Sequence, residues 1–440
     1  MSEGFDILVV GAGPAGIAAA VSAAAAGKSV GLVDDNPAAG GQIWRGEAAH
    51  PSSAARNWLG KLDASHVTRL QGWRVFDAPA PGTLCAEYKG ECRELAYGKL
   101  ILAVGARERF LPFPGWTLPN VMGAGGLDAM VRGGLLITGK RVVVAGTGPL
   151  LLAVAAHLVR SGAIIAAICE QAPLRRFFPF GVRLLREPAK LLQGIEYSFA
   201  TRGAKFYTNC WPIAASGDEK LEAVTLERNG KQWDQRCDYL ACGFHLVPNL
   251  ELPALLGCRI KEGFVSVDPV QRTSIADVFC AGEPTGIGGV ELALLEGEIA
   301  GLAAVGRTKD AERLTRKRRR RLGFVRGLRA VTALDPRLKT VVSDATLVCR
   351  CEDISFGRMR EHAGWRDAKL HTRCGMGPCQ GRICGAAAQF LFGWDVSPVH
   401  FSVRPPIFPA SVSSLGITDK LTHESVSPAL VGKANQEESQ

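Results

Sequence analysis

The chain has 440 residues, 47% of them hydrophobic and 21% charged, with a formal net charge of +10. That length exceeds one ordinary core and predicts two or three domains of a soluble globular protein. No stretch reaches the roughly 18 uninterrupted apolar residues of a membrane helix, since the run Leu150 to Val159 is broken by Arg160 and Gly162. The charge is local: nine cationic residues lie between Arg313 and Arg329 with no acid among them. Without interleaved aromatics this run reads as a solvated helix face rather than a nucleic-acid site. Its sharper reading is a docking surface for an acidic partner or a membrane headgroup layer. The acidic start, Met1 to Asp6, predicts neither a secretory nor a transit sequence, and hence a cytoplasmic location.

Phe5 to Val10 is a continuous β-prone run that leads at once into Gly11-Ala-Gly13-Pro14-Ala15-Gly16, a helix over 17–26 and a second strand over 29–33. A GxGxxG alone is weak, but one set between strand and helix, with Asp34-Asp35 about 20 residues on, is a dinucleotide-binding signature. Gly11 permits the tight turn, Gly13 lets backbone approach a pyrophosphate, and Gly16 lets the helix pack on the strand; Asp34 is placed to accept from ribose hydroxyls. Gly40, Gly41 and Gln42 follow, where a glycine pair lets backbone run close to a flavin. No cysteine pair stands there, so disulfide-reductase chemistry is not expected. Residues 51–92 read as strands and connections. Lys99 to Ala106 is a strand ending in small residues, among them Ala103 and Gly105.

A second βαβ unit opens at Lys140, with Gly146-Thr147-Gly148 as its turn and a strand over 164–170. Leu151 replaces its third glycine and is expected to loosen helix–strand packing, which argues against a nicotinamide cofactor. An adenine nucleotide or an empty structural fold are the other options. Farther on, a strand ends in Gly282-Glu283 and a glycine-rich turn opens the helix 290–304. This arrangement would aim an acid at a ribityl hydroxyl and a helix amino terminus at a flavin carbonyl edge. Two Rossmann-like units with this segment downstream imply one domain interrupted by another. His245 reads as structural, and no catalytic residue can be assigned.

Residues 306–345 read as a basic connecting helix with Leu322, Val325, Leu328 and Val331 on one face, and residues from about 420 as disordered. Between them five of the thirteen cysteines fall within 36 residues: Cys349, Cys351, Cys374, Cys379 and Cys384. Thiolates gathered this way hold a soft metal centre, zinc or iron-sulfur, whereas a disulfide pair finds no support in the scattered, singly placed remaining cysteines. A short helix is expected over 354–363.

Residues 5–305 resemble the pyridine nucleotide-disulfide reductase superfamily. With Val348-Cys-Arg-Cys-Glu352 and Arg373-Cys-Gly-Met-Gly-Pro-Cys-Gln-Gly-Arg-Ile-Cys384, the whole resembles the alpha subunits of dye-linked amino-acid and opine dehydrogenases, a group that includes the A subunit of opine oxidase, the flavin subunit of hydrogen cyanide synthase, and the alpha subunits of L-proline and D-hydroxyproline dehydrogenases. The resemblance implies an α/β fold of two Rossmann-like dinucleotide-binding domains, one inserted in the other, followed by a small helical domain similar to bacterioferritin-associated ferredoxin. The domains would run 1–115 with 245–305 for FAD, 116–244 for the NAD(P)-like insert, 306–345 for the linker, 346–395 for a 2Fe-2S domain and 396–440 for a partly disordered tail. It places the cluster on Cys349, Cys351, Cys379 and Cys384 and leaves Cys374 as a spare thiol, although the residues alone allow Cys374 with Cys379. It further implies a D-amino-acid-oxidase-like beta subunit that oxidises a C–N bond, with a small gamma subunit and FMN at a subunit interface as further options; NAD(P) or ATP at the second site and a peripheral seat on the inner membrane stay open from the residues themselves.

Overall fold

The computed structural model describes residues 2–45, 52–178, 181, 184, 187–396 and 403–416. The strand Ser2–Val10 is the axis of a seven-stranded sheet. It pairs in parallel with Val30–Asp34 on one side and Glu91–Leu102 on the other. Thr68–Gln71 extends the first edge. Glu91–Leu102 in turn carries the late strand Val278–Cys280, paired in parallel, and an antiparallel meander built from Arg74–Ala80 and Thr83–Tyr88. The central runs are apolar on both faces because helices cover one side and the meander and later loops the other, so Leu8, Val9, Leu100 and Ile101 are all fully buried.

Two helices, Pro14–Ala24 and Val290–Ala304, pack along one face of this sheet. A side chain at Gly297 or Gly301 would run into the carbonyl oxygens of Ala15 and Ala19. Glycines four apart therefore cut a groove that lets the two backbones touch, and that close crossing fixes the start of the second helix beside the glycine loop of the first. The 51–92 stretch is not all strand: Ser53–Asp63 is a helix, with the Ser52 hydroxyl accepting from Ala55 N at 3.2 Å. Ala55 and Leu62 provide its buried face.

The chain leaves this sheet through Ala106–Glu108 and returns through Leu246–Pro248, two short strands paired antiparallel. Between them lies a five-stranded parallel sheet, ordered Lys205–Thr208, Ile164–Glu170, Arg141–Gly146, Tyr239–Gly243, Val121–Gly123, with an antiparallel trio over Cys210–Arg236 beside it. The expectation that Leu151 would loosen the packing here is corrected. Leu151 is 1% exposed, and its Cδ2 fills the space beside Gly243, which has no side chain to oppose it.

The basic run forms one long helix, Thr308–Val331. Two of its arginines turn inward: Arg318 Nε lies 2.8 Å from Glu296, which is 1% exposed, and Arg321 pairs with Glu187 and Glu291. The expected helix over 354–363 is shorter, Phe356–Arg360, because Ile354–Ser355 pairs as a strand with Leu347–Cys349 and Ser355 then caps the helix. Residues 403–416 strap back across the first sheet, burying Ile407 in its core and donating Ile407 N to Phe76 O at 2.8 Å. The expected disorder beyond 420 lies outside the described residues.

Candidate functional site

The first glycine loop has the shape a dinucleotide needs. A side chain at Gly11, whose φ is +102°, would collide with Ala103 O, and one at Gly16 with Gly11 O, so turn, strand end and helix start are in backbone contact. Across the loop, Gly41, with φ +60°, lies against Gly13, and a Cβ on it would come within 2.8 Å of Gly13 Cα. The helix Pro14–Ala24 has no side-chain cap at its amino terminus, which leaves its orphan amides and the positive end of its dipole for an anion. Asp34, 9% exposed at the end of its strand, accepts from Ala12 N at 2.5 Å and from Asn36 N at 2.7 Å. Burial raises its carboxyl above the usual range against those hydrogen bonds. Asp35 points the other way, toward Arg74 at 3.5 Å, and Gln42 is exposed. These residues fit FAD: a cradle without side chains, an uncapped helix and an acid at ribose height.

Gly282 and Glu283 come to the same side of the sheet. Gly282 N donates to Glu296 Oε2 at 3.0 Å, and Thr285 Oγ1 does the same. The buried Arg318–Glu296 pair thus anchors the loop that carries Glu283. Glu283 holds the turn that precedes the helix Val290–Ala304 by accepting from Gly288 N and Gly289 N, each at 3.0 Å. Burial pushes its carboxyl up to about 7, with those two amides pulling the other way.

The second glycine loop is engaged by its own chain. Glu170, at the position of Asp34, accepts from Thr147 Oγ1 and Gly148 N at 2.7 Å and from Ala172 N at 2.8 Å. The segment that follows the basic helix lies over the loop: Thr332 Cγ2 is 3.4 Å from where a Gly148 Cβ would sit, and Thr332 O takes His245 Nε2 at 2.6 Å. Gln171 donates to Ala333 O at 3.2 Å and accepts from Asp335 N at 2.9 Å. Gly148 N and the Glu170 carboxylate are thus bonded to each other and the chain from Thr332 to Asp335 covers the loop, while the helix Pro149–Arg160, like Pro14–Ala24, has no side-chain cap. His245 is held at φ +72° and, pushed below the usual histidine range by burial, bonds to Thr332 as a structural residue.

All five clustered cysteines converge. The thiols of Cys349, Cys374 and Cys384 lie within 4.8 Å of one another, all three side chains buried. Cys379 is in hydrogen-bond contact with Cys384 and with the exposed Cys351. Cys374, read as a spare thiol, lies inside this group beside Cys349 and Cys384, and its thiol donates to Met359 Sδ at 3.6 Å. Sulfurs gathered this closely form a soft donor set suited to zinc or iron. Trp365 packs where side chains on Gly375 and Gly381 would otherwise sit, and the bare Gly377 lets the same segment close on the Cys351 side chain. The module is tied to the first fold: Arg107 Nε donates to Arg382 O at 3.1 Å, and Glu251 binds both guanidinium groups, Arg107 at 3.0 Å and Arg382 at 3.3 Å. Among features that residue patterns did not indicate are the Arg318–Glu296 anchor, the Thr332–Asp335 cover and a His362, Asp367, His371 cluster joined by hydrogen bonds.

The family model described as pyridine nucleotide-disulphide oxidoreductase matches residues 5–297. The A subunit of opine oxidase from Rhizobium meliloti (strain 1021) is 31% identical over 93% of this chain and 98% of its own length. The HcnB subunit of hydrogen cyanide synthase from Pseudomonas aeruginosa is 29% identical over 90% of this chain and 97% of its own. The alpha subunit of sarcosine oxidase from Corynebacterium sp. (strain P-1) is 30% identical over 37% of this chain and 19% of its own length. Among solved structures, L-proline dehydrogenase from P. horikoshii superposes with a TM-score of 0.66 at 19% identity, covering 94% of this chain and 80% of that one, a likeness of fold.

Proposed function

The chain belongs to the pyridine nucleotide-disulphide oxidoreductase family, in the branch it shares with the A subunit of opine oxidase, and on that premise we propose that it is the electron-transfer subunit of a heteromeric flavin-dependent amino-acid or opine dehydrogenase. The relatives' names are those of subunits of oxidases and of a synthase, which supports a role in a larger complex. A D-amino-acid-oxidase-like partner oxidises the substrate's C–N bond on its own flavin, and this chain receives the electrons. FAD is held by Gly11, Gly13, Gly41, Asp34, Gly282 and Glu283. A 2Fe-2S cluster on Cys349, Cys351, Cys379 and Cys384 would supply one-electron relay chemistry toward a flavin or quinone acceptor. Cys374 lies beside two of these sulfurs, where a neighbouring thiol would tune the potential of such a centre.

The observation that carries the reading is the five-thiol group docked through Arg382 and Arg107 onto the segment that continues from Gly105. The covered second glycine loop weighs against the other reading, a stand-alone NAD(P)H-dependent reductase. Purified alone, the chain is expected to show flavin and iron-sulfur absorbance and no amino-acid turnover. Turnover without a partner, or rapid bleaching of the flavin by NADH or NADPH, sinks the proposal. Iron and acid-labile sulfide should be lost in Cys349→Ser, Cys351→Ser, Cys379→Ser and Cys384→Ser, and retained with an altered visible spectrum in Cys374→Ala. Loss of iron in Cys374→Ala together with its retention in Cys351→Ser would transfer the fourth ligand position to Cys374.

A further inference from the structure

The helix Pro188–Ala200 is apolar on the side turned away from the protein. Its inner face, with Leu191, Gly194, Tyr197 and Ala200 half-buried, packs against the helix Pro149–Arg160, and Glu187 ties its start to Arg321 of the basic helix. Leu192, Ile195 and Phe199, at spacings of three and four, occupy the opposite face and are 66%, 57% and 65% exposed. A helix apolar on both faces is one whose outer face is covered by something else.

The charges around that face say what covers it. Arg202 lies over the Phe199 ring at 4.5 Å, and Lys205, in the strand that follows the helix, is exposed. The acids nearby are spoken for: Glu187 binds Arg321 and Glu196 binds Arg160 at 2.7 Å. Beyond Glu187, the basic helix exposes Arg316, Lys317 and Arg319. Apolar side chains at the centre with long cationic side chains at the margin match the boundary between acyl chains and acidic headgroups, where arginine and lysine stems lie along apolar surface and their charges reach outward.

We propose that the helix Pro188–Ala200 is a peripheral membrane-binding element that seats Leu192, Ile195 and Phe199 in an anionic bilayer surface, with Arg202, Lys205 and the basic helix contacting the headgroups. This goes beyond the electron-transfer reading and does not depend on it. The test is co-sedimentation of the full chain with phosphatidylcholine vesicles, with and without one-third phosphatidylglycerol. The chain pellets with the anionic vesicles in a salt-sensitive manner and stays in solution with the neutral ones. The triple variant Leu192→Ser, Ile195→Ser, Phe199→Ser lowers that binding about tenfold or more with unchanged circular dichroism, as expected for removing the inserted apolar surface. Phe199→Trp shifts its emission to the blue only with anionic vesicles. Equal binding to both vesicle types, or no binding to either, overturns the proposal. So does a triple variant that binds vesicles normally while its sedimentation-velocity profile shows a lost self-association, which would make this face a protein interface.

Discussion

The two glycine-loop folds of this chain start from nearly the same sequence and end in opposite conditions. In the first, Asp34 takes up Ala12 N and the loop at Gly11 and Gly13 faces Gly41 across a cradle without side chains. In the second, Glu170 takes up Gly148 N, and the chain from Thr332 to Asp335 lies over the loop. A strand, a glycine turn and an acid specify a fold, and whether that fold serves a ligand is decided by what the rest of the chain does with the amides it exposes.

The contrast can be broken most forcefully at the anchor of the open fold. Arg318→Ala should cost about 4 kcal/mol in urea unfolding, because it takes the guanidinium away from the buried Glu296 carboxylate that holds Gly282 N. A loss below about 1 kcal/mol would mean that the pair does not hold the loop. Next comes pH. With the Glu283 carboxyl at about 7 against an ordinary 4.5, the folded chain holds a proton there that the unfolded chain has already released. Stability should therefore fall as pH rises from about 4.5 to about 7, on the order of 3 kcal/mol from this group, and Glu283→Gln should flatten that slope in thermal unfolding.

A smaller effect separates the two acids. Glu170→Ala takes the acceptor from Gly148 N and Ala172 N, while Thr147 Oγ1 keeps Thr332 O at 3.4 Å, and should cost about 2 kcal/mol of stability with flavin content unchanged. Asp34→Ala should instead lower flavin retention, measured by absorbance after desalting; matching outcomes for the pair would erase the difference between the folds. Smallest of all, Gln171→Leu removes the bonds to Ala333 and Asp335 and should cost about 1 kcal/mol, read as a shift in the unfolding midpoint.

Much of the architecture is legible in the residues because its signals are local. The helix 290–304 begins and ends where the glycine turn and the apolar run place it, and the strand 164–170 likewise. The helix Ser53–Asp63 escapes that reading, although Ser52 as its cap and the Ala55 to Leu62 spacing are present in the sequence. Leu151 misleads because the residue that accommodates it, Gly243, lies 92 positions away and meets it only once the sheet is formed. The same holds for the Thr332–Asp335 cover and for Arg318, whose partner Glu296 sits in another helix: a charge in a basic run carries no mark of which way it turns. Cys374 is visible as a residue, but its place beside Cys349 and Cys384 depends on how the segment around Gly377 closes on Cys351.

The strap formed by residues 403–416 bears on the order in which the protein is made. Ile407 completes a core whose other members include Phe5, Leu8 and Leu100, and Ser411 N reaches Glu87 at 2.8 Å. During synthesis the first sheet therefore emerges from the ribosome with that side unfinished, and it stays so until the cysteine-bearing segment has also been translated. Closure of the amino-terminal core and completion of the thiol module are thereby linked in time, so a chain stopped after residue 396 would leave an apolar gap in the domain that was made first.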